Sequence, residues 1–174
     1  MSKGLPRSLS RGVPGKKGVY SLNLAIERTS VVITDPGAAA AWGTLAIGQL
    51  PQGNLLILGL VSYLKFTKNG AGIVDTFDGD YAIGTAPSTS NIALATNKAD
   101  LIASTAFASA AAAGVTAMFR AASAAALAGT IFDNTDGSLE LNLNILLDDA
   151  AVTATAAVFV EGSISVQLGV VGDD

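Results

Sequence analysis

A two-residue alternation of apolar and polar side chains runs through the carboxy-terminal part of this chain and constrains its fold more than any other feature. In SLELNLNILLDD, Leu139, Leu141, Leu143, Ile145 and Leu147 fall on one side, and Glu140, Asn142, Asn144 and Asp148 on the other. That is the pattern of a half-buried strand. Val152, Ala154, Ala156, Val158 and Val160 alternate next, Gly162-Ser163 reads as a turn, and Ile164, Val166, Leu168 and Val170 alternate against Ser165, Gln167 and Gly169. Ser138 to Val171 therefore predicts three consecutive antiparallel strands, the nucleus of a sheet.

The same period recurs upstream. Leu22, Leu24 and Ile26 alternate with Ser21, Asn23 and Ala25 in a first strand from Val19, and Val31 to Thr34 forms a second, stopped by the turn Asp35-Pro36-Gly37. Trp42 to Gln49 is a strand with Leu45 and Ile47 inward, and the lone tryptophan that opens it is expected to anchor the core. Asn54 to Lys68 is the longest candidate: Leu56, Leu58, Leu60, Ser62, Leu64 and Phe66 share one face, yet Leu55, Ile57 and Val61 make the other face apolar too. This suits a central strand with another subunit or a loop over its outer side. Asn69-Gly70 ends it as a hairpin turn. Tyr81 to Thr85 and Ile92 to Ala95 are short strand candidates, and Lys98 to Phe107 has helix-forming composition with Asn97 as its cap. Val115, Ala117 and Phe119 alternate once more, and Ile131-Phe132 leads into the turn Asp133 to Gly137.

Many short strands, Gly and Pro turns and no βαβ alternation predict an all-β fold: a jelly-roll-like antiparallel β-sandwich with at most one or two short helices. An immunoglobulin-like sandwich is the runner-up, although it ordinarily needs fewer residues. A chain of 174 residues can build one core. The expected organisation is an extended basic arm over residues 1–18 and a single sandwich domain over 19–174.

The residue types exclude whole classes of chemistry. The chain has neither histidine nor cysteine. Ser-His-Asp, Cys-His and His- or Cys-ligated metal sites therefore fall away together, and disulfides with them. Asn69 to Gly72 lacks the phosphate-loop fingerprint, and the serines and threonines of GTAPSTSN have no base beside them. No enzymatic activity and no cofactor are expected. Charged residues make up only 14% of the chain and hydrophobic ones 50%, which is lean in charge for a small monomer and implies surface hidden against a partner. Leu55 to Leu64 is too short to span a bilayer as a helix, and Arg120 interrupts the Ala-rich stretch from Ala103 to Ala128, so no membrane segment is expected.

Charge is unevenly placed. Residues 1–18 carry Lys3, Arg7, Arg11, Lys16 and Lys17 and no acid, whereas the remainder has five basic against fourteen acidic residues, a net −9. Pro6, Pro14 and four glycines keep the segment from regular structure. It reads either as a frayed terminus or as an arm laid over an acidic protein surface; dispersed charges without an aromatic argue against nucleic acid. Among the acids, Asp75, Asp78 and Asp80 in VDTFDGDY, and Asp133 and Asp136 with Glu140 in DNTDGSLE, offer hard oxygen ligands of the kind calcium takes. Neither stretch matches an EF-hand loop, and Asp-Gly pairs serve turns at least as readily. Asp148-Asp149 is read as a turn, since adjacent strand residues point apart.

The terminal run LNLNILLDDAAVTATAAVFVEGSISVQLGVVGD, with its Leu/Asn strand ending in Asp-Asp, its hairpin through Gly162 and its last strand closing on Gly172-Asp173, resembles the ends of small virion proteins of tailed bacteriophages, in particular capsid decoration (cement) proteins. The basic, Gly/Pro-rich arm is similar too. The resemblance implies a homotrimeric jelly roll, made in the host cytoplasm, that sits on the capsid surface of the virion, binds the major capsid protein and stabilises contacts between its subunits. In that setting Lys3, Arg7, Arg11, Lys16 and Lys17 would be capsid-contact residues. A tail or head-fibre component, or a calcium-dependent carbohydrate-binding jelly roll, are the alternative readings.

Overall fold

Alternating side chains make strands, but the partner of each strand is decided by how the whole chain doubles back. The computed structural model describes residues 19–37, 39–110, 113–123, 127 and 129–172. Nine strands lie among the described residues: β1 (Val19–Ile33), β2 (Ala41–Gln49), β3 (Gly53–Asn69), β4 (Asp78–Gly84), β5 (Ile102–Ala108), β6 (Phe119–Ala122), β7 (Ile131–Asn134), β8 (Glu140–Leu147) and β9 (Ala156–Gly172). Single 3-10 turns occupy Thr96–Lys98 and Asp149–Ala151.

The strands form two antiparallel sheets. One has the order β1-β9-β3-β6, with β7 also on β3, and the other the order β2-β8-β4-β5. Pairing runs first with last, second with second-last, third with β6 and β7, and fourth with fifth. A ribbon doubled back on itself and wound into two facing sheets is a jelly roll, so the expected fold is the one the chain adopts. The strands β6 and β7 share one lane along β3, at Val61 to Leu64 and at Gly53 to Leu56. Between them Ser123 substitutes for ladder partners: its amide donates to the Leu60 carbonyl at 2.8 Å, and its hydroxyl accepts the Leu60 amide at 3.0 Å.

The terminal three-strand sheet is corrected. Glu140–Leu147 pairs with β2 and β4 in one sheet, while Ala156–Gly172 is a single unbroken strand at the centre of the other. No turn forms at Gly162-Ser163. Gly162 instead faces inward in the column Val158, Val160, Ile164, Val166 and Leu168, at φ 145°, where a Cβ would collide with the Tyr63 carbonyl of β3. Glycine there permits close backbone approach rather than chain reversal.

Other expectations shift for similar reasons. The strands foreseen at Val19 and Val31 are one strand, interrupted by a bulge between Ile26 and Thr29. In β3 a second bulge between Ile57 and Gly59 reverses the facing: Leu55 and Ile57 point inward before it, and Leu60, Ser62, Leu64 and Phe66 after it. That switch is why both faces look apolar in sequence. Trp42 does not anchor the core; it is half-buried on the outer face beside Leu146, with Ala41 and Gly43 inward. Lys98 to Phe107 is not a helix, because Ile102 and Phe107 are buried in strand β5 and the helical composition yields to that burial. Ile92 to Ala95 is not a strand, and only the start of β6 and isolated bridges at Val115 and Thr116 remain of the strand expected at Val115 to Arg120. Asn69-Gly70 turns the chain toward the opposite sheet instead of forming a hairpin.

The core lies between the sheets. Phe66 stacks on Phe107 at 4.4 Å between ring centroids, with Tyr81, Phe77 and Phe119 around them. Ser62 from one sheet and Tyr81 from the other are both buried and hydrogen-bond at 3.1 Å, which satisfies the two hydroxyls inside the sandwich.

Replacing Gly162 with alanine should destabilise the fold by about 1–3 kcal/mol or more, since the Cβ must displace the β3 backbone and occupy a positive φ. Chemical denaturation of G162A against the parent checks this; an unchanged midpoint would show that β9 and β3 do not approach as described.

Candidate interaction surface

The two outer faces of the sandwich differ. On β8 the residues expected to meet solvent, Asn142 and Asn144, are 2% and 0% exposed. The loop between β4 and β5, residues 85–101, covers them. Asn144 holds it there: its Nδ2 donates to the carbonyls of Ala86 at 2.9 Å and Lys98 at 2.8 Å, and its Oδ1 accepts the Ser88 amide at 2.7 Å and the Thr44 hydroxyl at 2.6 Å. Gly84 makes room, because a Cβ there would meet the backbone of Asn97 and Lys98. Asp100 closes the loop by accepting from the Thr85 amide at 2.9 Å and hydroxyl at 2.6 Å; burial nevertheless raises its carboxyl above the ordinary range. A cleft of about 290 Å³ opens beside Asp100, between Leu101, Leu127 and Phe132.

Nothing among the described residues covers the outer face of the five-stranded sheet. Register places Val19, Ser21, Asn23 and Ala25 of β1 beside Gly169, Gln167, Ser165 and Ser163 of β9. Those residues in turn face Leu56, Gly59, Val61 and Tyr63 of β3. No Lys, Arg, Asp or Glu occurs among them. The end of the face where β1 begins is apolar: Val19 is 69% exposed, Ile131 58%, Val171 47% and Leu58 42%. Charges gather at the margins. The Lys65 ammonium donates to Glu161 at 2.8 Å, Arg28 lies 4.3 Å from the centre of the Phe159 ring, and Arg120 donates to the Tyr63 hydroxyl at 3.1 Å.

The acids that sequence offers as calcium ligands are separated. Asp133 and Asp136, near the start of β3, each cap their own turn: Asp133 accepts from the Thr135 amide and hydroxyl, and Asp136 from those of Ser138. These hydrogen bonds hold both carboxyls below the ordinary range. Glu140 opens β8 as the partner of Gln49. Asp75, past the far end of β3, pairs with Lys68. Asp78 and Asp80 rim an open cleft of about 450 Å³ floored by Phe107 and Phe119, together with Asp148, which sequence assigned to a turn. Asp148 does sit at that turn, but burial and the charges of Asp78 and Asp80 also lift its carboxyl above the ordinary range. Among the described residues no group of three or more acids is placed to hold a metal ion. The cleft lining offers carboxylates alone, with no hydroxyl, thiol or positively charged side chain. The arm residues Lys3, Arg7, Arg11, Lys16 and Lys17 lie outside the described residues. Among the described residues no helix is long and apolar enough to cross a membrane.

Sequence reasoning missed Asn144 and Asn134. Asn134 is fully buried and ties its own turn to another, donating to the carbonyls of Leu50 and Pro51 and accepting the Leu139 amide. An asparagine at a turn or on the polar side of a strand carries no signal that separates this role from solvation.

No protein-family model and no curated protein matches the chain. Three solved chains do. One, titled "Structure of infectious bursal disease virus Gx strain", is 14% identical with a TM-score of 0.34, over 89% of this chain and 32% of that one. The chain thus spans about a third of that protein's length.

Replacing Asn144 with alanine orphans the buried loop groups it satisfies, each worth about 1–3 kcal/mol, and should cost about 3 kcal/mol in total. Amide exchange across residues 85–101 should accelerate more than exchange in β9. The charge at Asp148 gives a pH-dependent test. A carboxyl whose folded pKa is raised costs stability once pH passes above its unfolded value, and that cost vanishes below it. D148N should therefore raise the melting temperature at neutral pH, and the gain should disappear as pH falls below the carboxylate range; a gain independent of pH would refute the repulsion.

Proposed function

We propose that this chain is a virion structural protein, specifically a capsid decoration (cement) protein that binds the outer surface of an icosahedral phage head and stabilises contacts between major capsid subunits. The observation that carries the reading is the bare, uncharged outer face of the five-stranded sheet, on a body whose other face is closed by its own loop. A flat surface of small, polar and apolar side chains fits repeated protein contact, where charges at the centre of an interface are disfavoured. The basic segment over residues 1–18 adds contact area and charge that such a face lacks. The resemblance to decoration proteins points the same way on the Leu/Asn strand ending in Asp-Asp and on the basic arm, the hairpin through Gly162 having given way to a continuous strand. The polar groups of the core and of the covered face are consumed in holding the fold together, as with Ser62, Tyr81, Asn134 and Asn144.

Purified protein mixed with expanded phage heads and with precursor heads tests the reading. It should bind the expanded form on the outer surface and raise the temperature at which the heads disrupt. Deleting residues 1–18 should reduce occupancy while leaving the circular dichroism of the body unchanged. Density on a tail or head fibre would replace this reading with a fibre component. Chelator-sensitive binding to glycans with no binding to heads would replace it with a calcium-dependent lectin.

A further inference from the structure

We infer that the bare face of the five-stranded sheet packs against the same face of a second copy of this chain, and that the basic segment of each copy lies on the acidic body of the other. The inference names a partner for the face described above and rests on the structural reading only for the premise that this face is covered. Three observations support a second copy as the occupant.

The first is charge. The body after residue 18 carries a net −9, so two bodies repel wherever their acids approach. The uncharged face is the surface on which that repulsion is weakest. Charge is confined to its rim, where Lys65 pairs with Glu161, Arg120 meets the Tyr63 hydroxyl, and Glu27 and Asp133 are the exposed acids. The second is area. Three uncharged strands about 4.8 Å apart and four rows of outward side chains about 6.8 Å apart make a face on the order of 400 Å². A stable interface takes about 800 Å² from each partner. The face alone falls short and needs an added element. The third is where that element starts. Residues 1–18 hold five positive charges and no acid, and they join the body at Val19, in the row that runs through Gly169 and Leu56 to Ile131 at the apolar end of the face. Eighteen residues reach at most about 60 Å, enough to cross a neighbouring body of this size. The segment thus leaves the fold at the contact boundary and carries the charge opposite to what it meets beyond it. A face packed on itself is isologous and closes at two copies.

Sedimentation equilibrium of the full chain over a range of concentrations, without phage particles, decides the matter. The expected mass is that of two copies. I131D places like charges opposite one another across the contact and should weaken association by about a hundredfold or more. Deleting residues 1–18, or raising salt, should weaken it by about tenfold. Circular dichroism and the melting temperature show whether I131D keeps its fold; if it does not, Q167E, at an exposed position on the same face, carries the test. A monomer at the highest concentration, a three-copy mass, or a dimer indifferent to both charge substitutions overturns the inference. A dimer that ignores phage heads sinks the decoration reading alone, and a monomer that decorates heads sinks this inference alone.

Discussion

The fold depends on one constraint: β9 must run unbroken through the centre of its sheet, bonded on both edges. It pairs with β1 from Val19 to Ile33 on one side and with β3 from Asn54 to Asn69 on the other. Val158, Val160, Ile164, Val166 and Leu168 are all fully buried in its inward column. Each contributes about 1.5–3 kcal/mol of apolar burial. The column stays in phase only because Gly162 lets β3 pass at its midpoint. Two bulges fall on β1 and β3, and the one on β9 lies at Val171, beyond the buried column, so along that column the neighbouring strands adapt to β9. Because β9 follows the other eight described strands in sequence, this sheet closes only when β9 arrives, and nearly all of its strand pairing is long-range in sequence. Folding should accordingly be slow for the chain's size.

Once β9 is fixed, the two faces of the sandwich diverge for a local reason. The connection between β4 and β5 is long enough to fold back over its own sheet, and Asn144 gives it three hydrogen bonds to land on. Ala82 and Gly84 lie under it with little or no side chain. No comparable connection crosses the described part of the other sheet, whose small and polar outward residues leave a flat surface. The shortage of charge in the sequence is thereby located: it belongs to a covered face on one side and to a bare uncharged face on the other.

Much of this was legible in the sequence, and what was hidden was hidden for definite reasons. Period two at Leu139 to Leu147 and at Val158 to Val170 marks strands correctly, and the density of Gly and Pro turns marks a sandwich. Periodicity says nothing about partners, so strands adjacent in sequence looked adjacent in space when they lie in opposite sheets. Gly162-Ser163 has the composition of a turn, and only the approach of Tyr63 distinguishes a crossing point from a reversal. The bulge between Ile57 and Gly59 inverts the facing of Leu56 and Leu58 without altering a residue that local reading would flag. At the surface, the six acids offered as ligands were visible as two clusters. Their placement toward opposite ends of β3, and the capping of Asp133 and Asp136, depend on topology that spacing does not encode.

The distribution of acids then accounts for the contrast between arm and body. Asp35, Asp133 and Asp136 sit in turns, where each carboxylate accepts an amide two residues on, and Asp78 and Asp148 lie where β4 begins and β8 ends. Negative charge is therefore carried by the ends of the sandwich, as a by-product of how its turns are made, while the sheet face between them is neutral. A segment with five positive charges has no complement on that face and abundant complement at the ends. Turn chemistry and partner chemistry are in this way the same residues seen from two sides: the carboxylates that stop strands also create the field that a basic chain would follow.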